Sequence, residues 1–93
     1  MMITLQTVKF KGSEELKEFV EEKAGKLFHQ YPQVIRIDVI LKKGAVNNLE
    51  NKWCQIYLSH PGENLFVKKN SPVYEESILK AVEAMAKMIR RLK

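Results

Sequence analysis

The sequence has few of the features that enzymes and metal-binding domains of this size need. Its 93 residues contain one cysteine, Cys54, so no internal disulfide can form, and its place in an alternating apolar run suits a small buried hydrophobe. The two histidines, His29 and His60, have no cysteine or carboxylate at metal-ligand spacing. The four glycines are scattered singly, so there is no phosphate-binding loop. We therefore predict a binding protein without catalysis, metal ion, cofactor or small-molecule substrate.

Long hydrophobic runs are also missing. No stretch approaches the roughly 18 apolar residues of a membrane span, which predicts no membrane partner. The first residues, Met1–Gln6, lack the charged region, apolar run and cleavage site of a signal peptide. We therefore expect a cytoplasmic protein. Ninety-three residues predict one domain, 1–93, with a single modest core.

Acidic residues are outnumbered by basic ones. Sixteen Lys and Arg residues against eleven Asp and Glu residues give a net charge of +5. A basic balance favours an acidic partner, of which nucleic acid is the usual one. The excess is greatest in Lys87–Lys93, which has four positive charges and no negative one.

Hydrophobic periodicity predicts six elements in the order strand, helix, three strands and helix. Ile3–Val8 is a short strand whose broken alternation suggests a bulge. In the helix that follows, Ser13 is the N-cap and Pro32 ends the helical spacing. Alternating apolar residues predict three more strands, at Val34–Lys42, Lys52–Ser59 and Leu65–Lys69.

Local signals add detail to these elements. Pro61 and Gly62 suit a type II turn, so the third and fourth strands form a hairpin. Ser71 is predicted to cap the last helix, with Pro72 at its first position. In the second strand, Ile35 shares the phase of the residues that we expect to face the core.

These elements predict an α+β fold of order β-α-β-β-β-α. A strand–helix–strand crossover makes the first two strands parallel, and the three consecutive strands then form an antiparallel meander. The expected sheet order is therefore 1-2-3-4. Because each strand of the meander offers one continuous apolar face, both helices are predicted to pack on that face.

The last helix has an apolar stripe and a basic side. Its apolar positions alternate in steps of four and three: Ile78, Val82, Met85, Ile89 and Leu92. At about 100° per residue, three basic residues lie roughly opposite the stripe and Arg90 lies on its shoulder. The three are Lys80, Lys87 and Arg91. Such a ridge suits a polyanion, although cations near a helix C-terminus are also favoured by the macrodipole alone.

The first helix carries two lysines, Lys23 and Lys26, on one flank of its apolar stripe, and acids occupy its outward sector. If that flank adjoins the last helix, six residues form one RNA-binding patch. They are Lys23, Lys26, Lys80, Lys87, Arg90 and Arg91. The alternative is a solvated surface in which Glu22 pairs with Lys26 and Glu83 with Lys87.

Aromatic residues are predicted on the side of the sheet away from the helices. If Cys54 faces the helices, Trp53 and Tyr57 lie on the open side, together with Phe66. Exposed aromatics on a sheet stack RNA bases in several proteins. Such a patch also serves in edge packing or as a self-association surface.

Several segments together resemble the ribosome hibernation-promoting factor family, whose members are also called ribosome-associated inhibitors or sigma-factor modulation proteins. The resemblance covers essentially the whole chain, in the short form that ends without a second domain. It is carried by Ser13–Val20, Lys23–Leu27, Val39–Lys42, Pro61–Gly62 and Tyr74–Ile78.

The resemblance implies a β-α-β-β-β-α domain that sits on ribosomal RNA of the small subunit, where mRNA and tRNA lie, and silences translation under stress. In that family basic residues of both helices contact RNA. The matching positions are Lys23, Lys26, Lys87 and Arg91.

Two alternatives to this family role stay open. One is a double-stranded-RNA-binding module, which places lysines where this chain has acids at the start of the last helix. The other is a protein–protein regulator, for example of a sigma factor, that uses the open sheet face.

Overall fold

The computed structural model describes residues 2–92, and the predicted elements are all present. Met1 and Lys93 lie outside the described residues, so the basic stretch is followed only as far as Leu92. The elements are β1 (Met2–Val8), α1 (Glu14–Gln30), β2 (Arg36–Lys43), β3 (Lys52–His60), β4 (Glu63–Ser71) and α2 (Tyr74–Arg90). The sheet order is β1-β2-β3-β4, with β1 parallel to β2 and the other pairs antiparallel. The predicted fold class and strand order are confirmed.

The core lies between one face of the sheet and the two helices. Ile37, Leu58 and Leu65 form one cross-strand row of buried side chains. A second row contains Val39, Ile56 and Val67, also buried. Because apolar side chains recur at every second position, the meander offers one continuous surface to the helices.

The predicted bulge in the first strand is wrong. The parallel register between β1 and β2 runs without interruption from Met2 opposite Arg36 to Val8 opposite Lys42. The broken alternation has another cause, because Val8 ends the strand and Phe10 stacks on Tyr74 at 4.4 Å between ring centroids. Phe10 therefore belongs to the connection between β1 and α1.

The first helix begins and ends as predicted. The Ser13 side chain accepts a hydrogen bond from the Leu16 backbone N–H at 3.1 Å, as an N-cap does. The helix ends at Gln30, two residues before Pro32. Its apolar stripe is buried in the core, with residues Leu16, Val20, Ala24, Leu27 and Phe28.

The hairpin of β3 and β4 closes through Pro61 and Gly62. Gly62 has φ 82°, which a type II turn requires at its third position and which glycine adopts at little cost. His60 pairs directly with Glu63 across this turn. Because pairing starts at the turn, β4 begins at Glu63, before the predicted start at Leu65. At its other end it pairs with β3 as far as Ser71, beyond the predicted end at Lys69.

The predicted start of the last helix is wrong. Val73 is its N-cap, with no side-chain hydrogen bond, and the helix begins at Tyr74. Ser71 is instead the last residue of β4 and is fully buried, with its Oγ 2.9 Å from the Oγ of Ser77. The pleat of β4 turns Ser71 toward the core, so its hydroxyl cannot cap a helix that starts three residues later.

The second strand also begins later than predicted. Val34 is buried, whereas Ile35 exposes 57% of its surface. The Val34 N–H donates to the Tyr31 carbonyl at 3.0 Å in the turn after α1, and this turn directs Val34 inward. Regular alternation starts only at Arg36.

Neither helix in residues 2–92 is long and apolar enough to cross a membrane.

Candidate nucleic-acid interface

The two helices cover different parts of the sheet. The second helix, α2, packs on β3 and β4, and α1 contacts β1 and α2. Lys17 and Glu21 of α1 line a surface cavity with Ile3 of β1. The hydroxyl of Tyr31, the C-cap residue of α1, donates a hydrogen bond to the Ala86 carbonyl of α2 at 3.5 Å. The Ala86 flank of α2 therefore faces α1, and its opposite flank faces the edge of the sheet at β4.

A groove of about 560 Å³ runs between that opposite flank of α2 and β4. We call it the α2–β4 groove. Its basic lining residues are Lys68, Lys69, Lys80, Lys87 and Arg91. The apolar side chains of Ala84 and Met88 line it as well, and among residues 2–92 Glu83 is the one acidic residue in its lining. Five cations around one open groove give it a strongly positive potential.

The fold creates this groove from residues that are distant in sequence. Lys80 and Lys87 of α2 and its C-cap residue Arg91 are spaced by seven and four residues, which keeps all three on one flank of the helix. The edge strand β4 contributes Lys68 and Lys69, which point to opposite faces of the sheet and both line the groove. Lysines on an edge strand also discourage pairing with another strand.

Two of the five groove cations pair with acids on their own helix. The Lys80 ammonium lies 3.3 Å from a carboxylate oxygen of Glu76, and the Lys87 ammonium lies 3.4 Å from one of Glu83. These side chains are largely exposed, so each pair contributes only about 0.3–0.5 kcal/mol and opens readily for a phosphate. Within residues 2–92, Lys68, Lys69 and Arg91 pair with no acid. The groove therefore keeps an excess of positive charge.

The structure brings three of the six predicted site residues into this groove: Lys80, Lys87 and Arg91. The other three, Lys23, Lys26 and Arg90, do not line it. Lys26 and Arg90 are exposed. The Lys23 ammonium lies 3.3 Å from Glu22, so Glu22 contacts Lys23 and not Lys26.

Helical spacing sets where the α1 lysines lie. Lys23 and Lys26 occupy the flank of α1 away from Lys17 and Glu21, and therefore the side nearer α2. The α2–β4 groove is on the far flank of α2. The six predicted residues thus lie on both sides of α2, with Arg90 on the outward surface between them.

Sequence reasoning missed Lys68 and Lys69. The order 1-2-3-4 makes β4 an edge strand, and only Pro72 and Val73 separate it from α2. A connection this short places α2 beside β4, so lysines at that edge adjoin the basic flank of α2. The signal was present in the predicted topology.

The open face of the sheet carries the aromatic residues that the alternation placed there. Tyr57 and Phe66 are cross-strand partners with ring centroids 4.6 Å apart, and each exposes 44% of its surface. Trp53 is half-buried, and the Lys68 ammonium lies over its ring at 4.6 Å from the centroid. The predicted placement of these rings is confirmed.

Neither the Cys54 thiol nor the potential metal ligands of residues 2–92 are placed for reactivity or metal binding. Burial raises the pKa of the Cys54 thiol to about 12, so the thiolate form that reacts is scarce at neutral pH. In residues 2–92, no group of three or more His, Cys, Asp or Glu side chains is placed to hold a metal ion.

The sequence matches the family described as sigma 54 modulation protein / S30EA ribosomal protein over residues 3–93. The chain belongs to this family of ribosome-associated factors, as the resemblance predicted. No protein of curated function has a sequence that matches the chain significantly.

Two solved structures share the fold. A ribosomal subunit interface protein from Coxiella burnetii superposes with a TM-score of 0.85 at 16% identity, covering 98% of this chain and 96% of that one. The Thermus thermophilus Protein Y N-terminal domain superposes with a TM-score of 0.83 at 18% identity, covering 100% of both chains.

Proposed function

We propose that this protein is a hibernation factor that binds ribosomal RNA of the small subunit in the channel for mRNA and tRNA and blocks translation by occupying it. The observation that carries the proposal is the α2–β4 groove, in which five basic side chains surround one open surface. Membership in a family of ribosome-associated factors supports it. Such a role corresponds to a cytoplasmic protein.

The physical basis of binding is neutralisation of phosphates. Each Lys or Arg that contacts a phosphate releases condensed counterions, and this favours binding at low salt. Arg91 can hold a phosphate through two parallel N–H donors, whereas Lys69 and Lys87 act as point charges on flexible stems. Arg90, Lys23 and Lys26 extend the positive surface over α2 to α1 and form a second contact region.

The proposed mode of inhibition is steric and stoichiometric. A compact domain held by phosphate contacts excludes mRNA and tRNA from the space that it fills, and it needs no chemical step. Inhibition is therefore expected to saturate near one protein per ribosome and to leave ribosomal RNA intact.

Sedimentation with purified subunits tests the proposal. The protein should travel with small subunits and not with large ones, and excess mRNA with initiator tRNA should displace it. Lys87→Ala/Arg91→Ala should weaken binding, whereas Lys9→Ala/Lys43→Ala removes equal charge at the far end of the sheet and should matter little. Both Lys9 and Lys43 are exposed there. Simultaneous occupancy with tRNA, or cleaved ribosomal RNA, would contradict the proposal.

A protein–protein regulator is the second candidate, because the family description includes sigma 54 modulation and the open sheet face exposes Tyr57 and Phe66. A regulator of this kind stays in the soluble fraction when ribosomes are pelleted. The double-stranded-RNA-binding module is less favoured. Glu75 and Glu76 are exposed residues in the first turn of α2, where that module carries lysines.

A further inference from the structure

The open face of the sheet presents two adjacent aromatic rings to solvent. Tyr57 and Phe66 touch across β3 and β4, with ring centroids 4.6 Å apart and ring planes inclined by 35°. Their neighbours along the strands, Leu58 and Leu65, point to the other face and are buried in the core. The two rings are therefore not needed to fill the core, and their exposed faces are available to a ligand.

The charge around these rings is positive. On the open face the strands carry three cations, Arg36, Lys42 and Lys68, and one carboxylate, Asp38. The Arg36 Nε lies 2.9 Å from the Asp38 carboxylate, which also accepts a hydrogen bond from Thr4. The negative charge beside Tyr57 is thus already neutralised by a cation.

This charge distribution selects among possible occupants. A second copy of the chain placed face to face would bring like charges together, and each copy has a net charge of +5. A single strand of RNA offers the opposite combination, because it is anionic and its unpaired bases have flat apolar faces. Base–aromatic stacking and backbone neutralisation are the two interactions through which proteins hold single strands.

The aromatic pair is continuous with the α2–β4 groove. Phe66 and Lys68 belong to the open face and also line the groove, together with Lys69. Because β4 is the edge strand, no further strand separates the groove from the open face. A strand whose phosphates contact the groove lysines can therefore lay a base on Phe66.

We propose that Tyr57 and Phe66 form a stacking site for an unpaired base of single-stranded RNA, whose adjacent phosphates contact Lys68 and Lys69. This inference rests on the proposed function, since it extends the same RNA interface around the edge of the sheet. It adds a preference for unpaired bases, which phosphate contacts alone do not give.

Trp53 provides a signal for this site without being part of it. The Lys68 ammonium covers the Trp53 ring at 4.6 Å from the centroid, and Trp53 is the only tryptophan in the chain. A phosphate that draws Lys68 away from the ring changes the surroundings of the indole. RNA bound at the site is therefore expected to alter Trp53 fluorescence.

The test compares three probes of equal length, about twelve nucleotides: an unstructured single-stranded RNA, its abasic ribose-phosphate counterpart and an RNA duplex. The wild-type protein should bind the single strand roughly tenfold more tightly than the abasic strand, as stacking of one base provides. Tyr57→Leu/Phe66→Leu keeps apolar side chains but removes the rings, and it should abolish this preference. Leu79→Ala is the control, since Leu79 is an exposed apolar residue of α2 outside the groove.

Three results would overturn the stacking site. They are equal wild-type affinity for single and abasic strands, an unchanged preference in the leucine variant, and absence of binding to any probe. If analytical ultracentrifugation shows a dimer that Tyr57→Ser/Phe66→Ser dissociates, the face is a self-association surface. The comparison of single-stranded with abasic RNA on the wild-type protein tests the base preference even if a variant misfolds. Ribosome sedimentation tests the proposed function separately, so either can fail alone.

Discussion

The ammonium of Lys87 lies 3.4 Å from a carboxylate oxygen of Glu83, one turn earlier on α2. Glu83 is the acidic lining residue of a groove that has five basic ones. Glu83 therefore opposes phosphate binding in two ways: it pairs with the Lys87 ammonium, and its negative charge repels the phosphate.

Glu83→Gln should strengthen binding to small subunits by several-fold at low salt, because it frees Lys87 and removes a negative charge from the groove. The effect on stability should be small, about 0.3–0.5 kcal/mol, since the pair is exposed. Sedimentation or fluorescence titration measures the affinity. Glu21→Gln, which changes charge equally on the β1 side of α1, is the control and should leave affinity nearly unchanged.

The contribution of α1 is tested by Lys23→Ala/Lys26→Ala. We expect a smaller loss of small-subunit affinity than in Lys87→Ala/Arg91→Ala, because Lys23 already contacts Glu22 and lies outside the groove. The loss should still exceed that of Lys9→Ala/Lys43→Ala. A loss equal to that of the α2 variant would mean that both helices contribute to one interface of uniform strength.

The hydroxyl groups between β4 and α2 govern the stability of this junction. The buried Ser77 Oγ lies 2.9 Å from the Ser71 Oγ and donates to the Lys52 carbonyl. Ser77→Ala leaves these groups with fewer partners and should lower the free energy of unfolding by about 1–3 kcal/mol. The melting temperature should fall by about 4–8 °C per kcal/mol. Ser59→Ala, on the open face, should cost little.

The Ser71–Ser77 contact also shows where prediction from sequence stopped. A serine followed by proline and two glutamates has the pattern of a helix start, and that pattern led to the wrong cap. What decided the position was the length of β4, since a strand that extends to Ser71 turns its hydroxyl into the core. Strand length depends on pairing with β3, which is a non-local interaction.

Other parts of the molecule were predictable because their signals are local. The type II turn at Pro61 and Gly62, the Ser13 cap and the apolar stripe of α2 follow from a few adjacent residues or from one periodicity. The basic flank of α2 followed in the same way. Lys68 and Lys69 needed the packing of α2 against the edge strand, which no single segment encodes.

Asp38 makes stability depend on pH in the acidic range. Burial raises the pKa of its carboxyl, but hydrogen bonds from Thr4 and Arg36 and the charge of Arg36 outweigh burial. Together they hold the pKa below the ordinary aspartate value of 3.8. The stabilisation that the carboxylate gives is therefore present above that pH and is lost as pH falls through the folded-state pKa.

Asp38→Asn should accordingly be less stable than wild type at neutral pH, by about 1 kcal/mol or less because the pair is partly exposed. The difference should shrink as the pH falls below about 4. Urea unfolding at a series of pH values measures it. A difference that stays constant down to about pH 2 would show that the Asp38 charge does not contribute.

The most direct test of the central claim, that the α2–β4 groove binds ribosomal RNA phosphates, is the salt dependence of small-subunit affinity. Wild-type affinity should fall linearly with salt on a double-logarithmic plot. Lys87→Ala/Arg91→Ala should reduce the slope by about two, one for each lost phosphate contact, and Lys9→Ala/Lys43→Ala should leave it unchanged. Equal slopes for the two double variants would contradict the claim, since the positive charge would then act without a defined site.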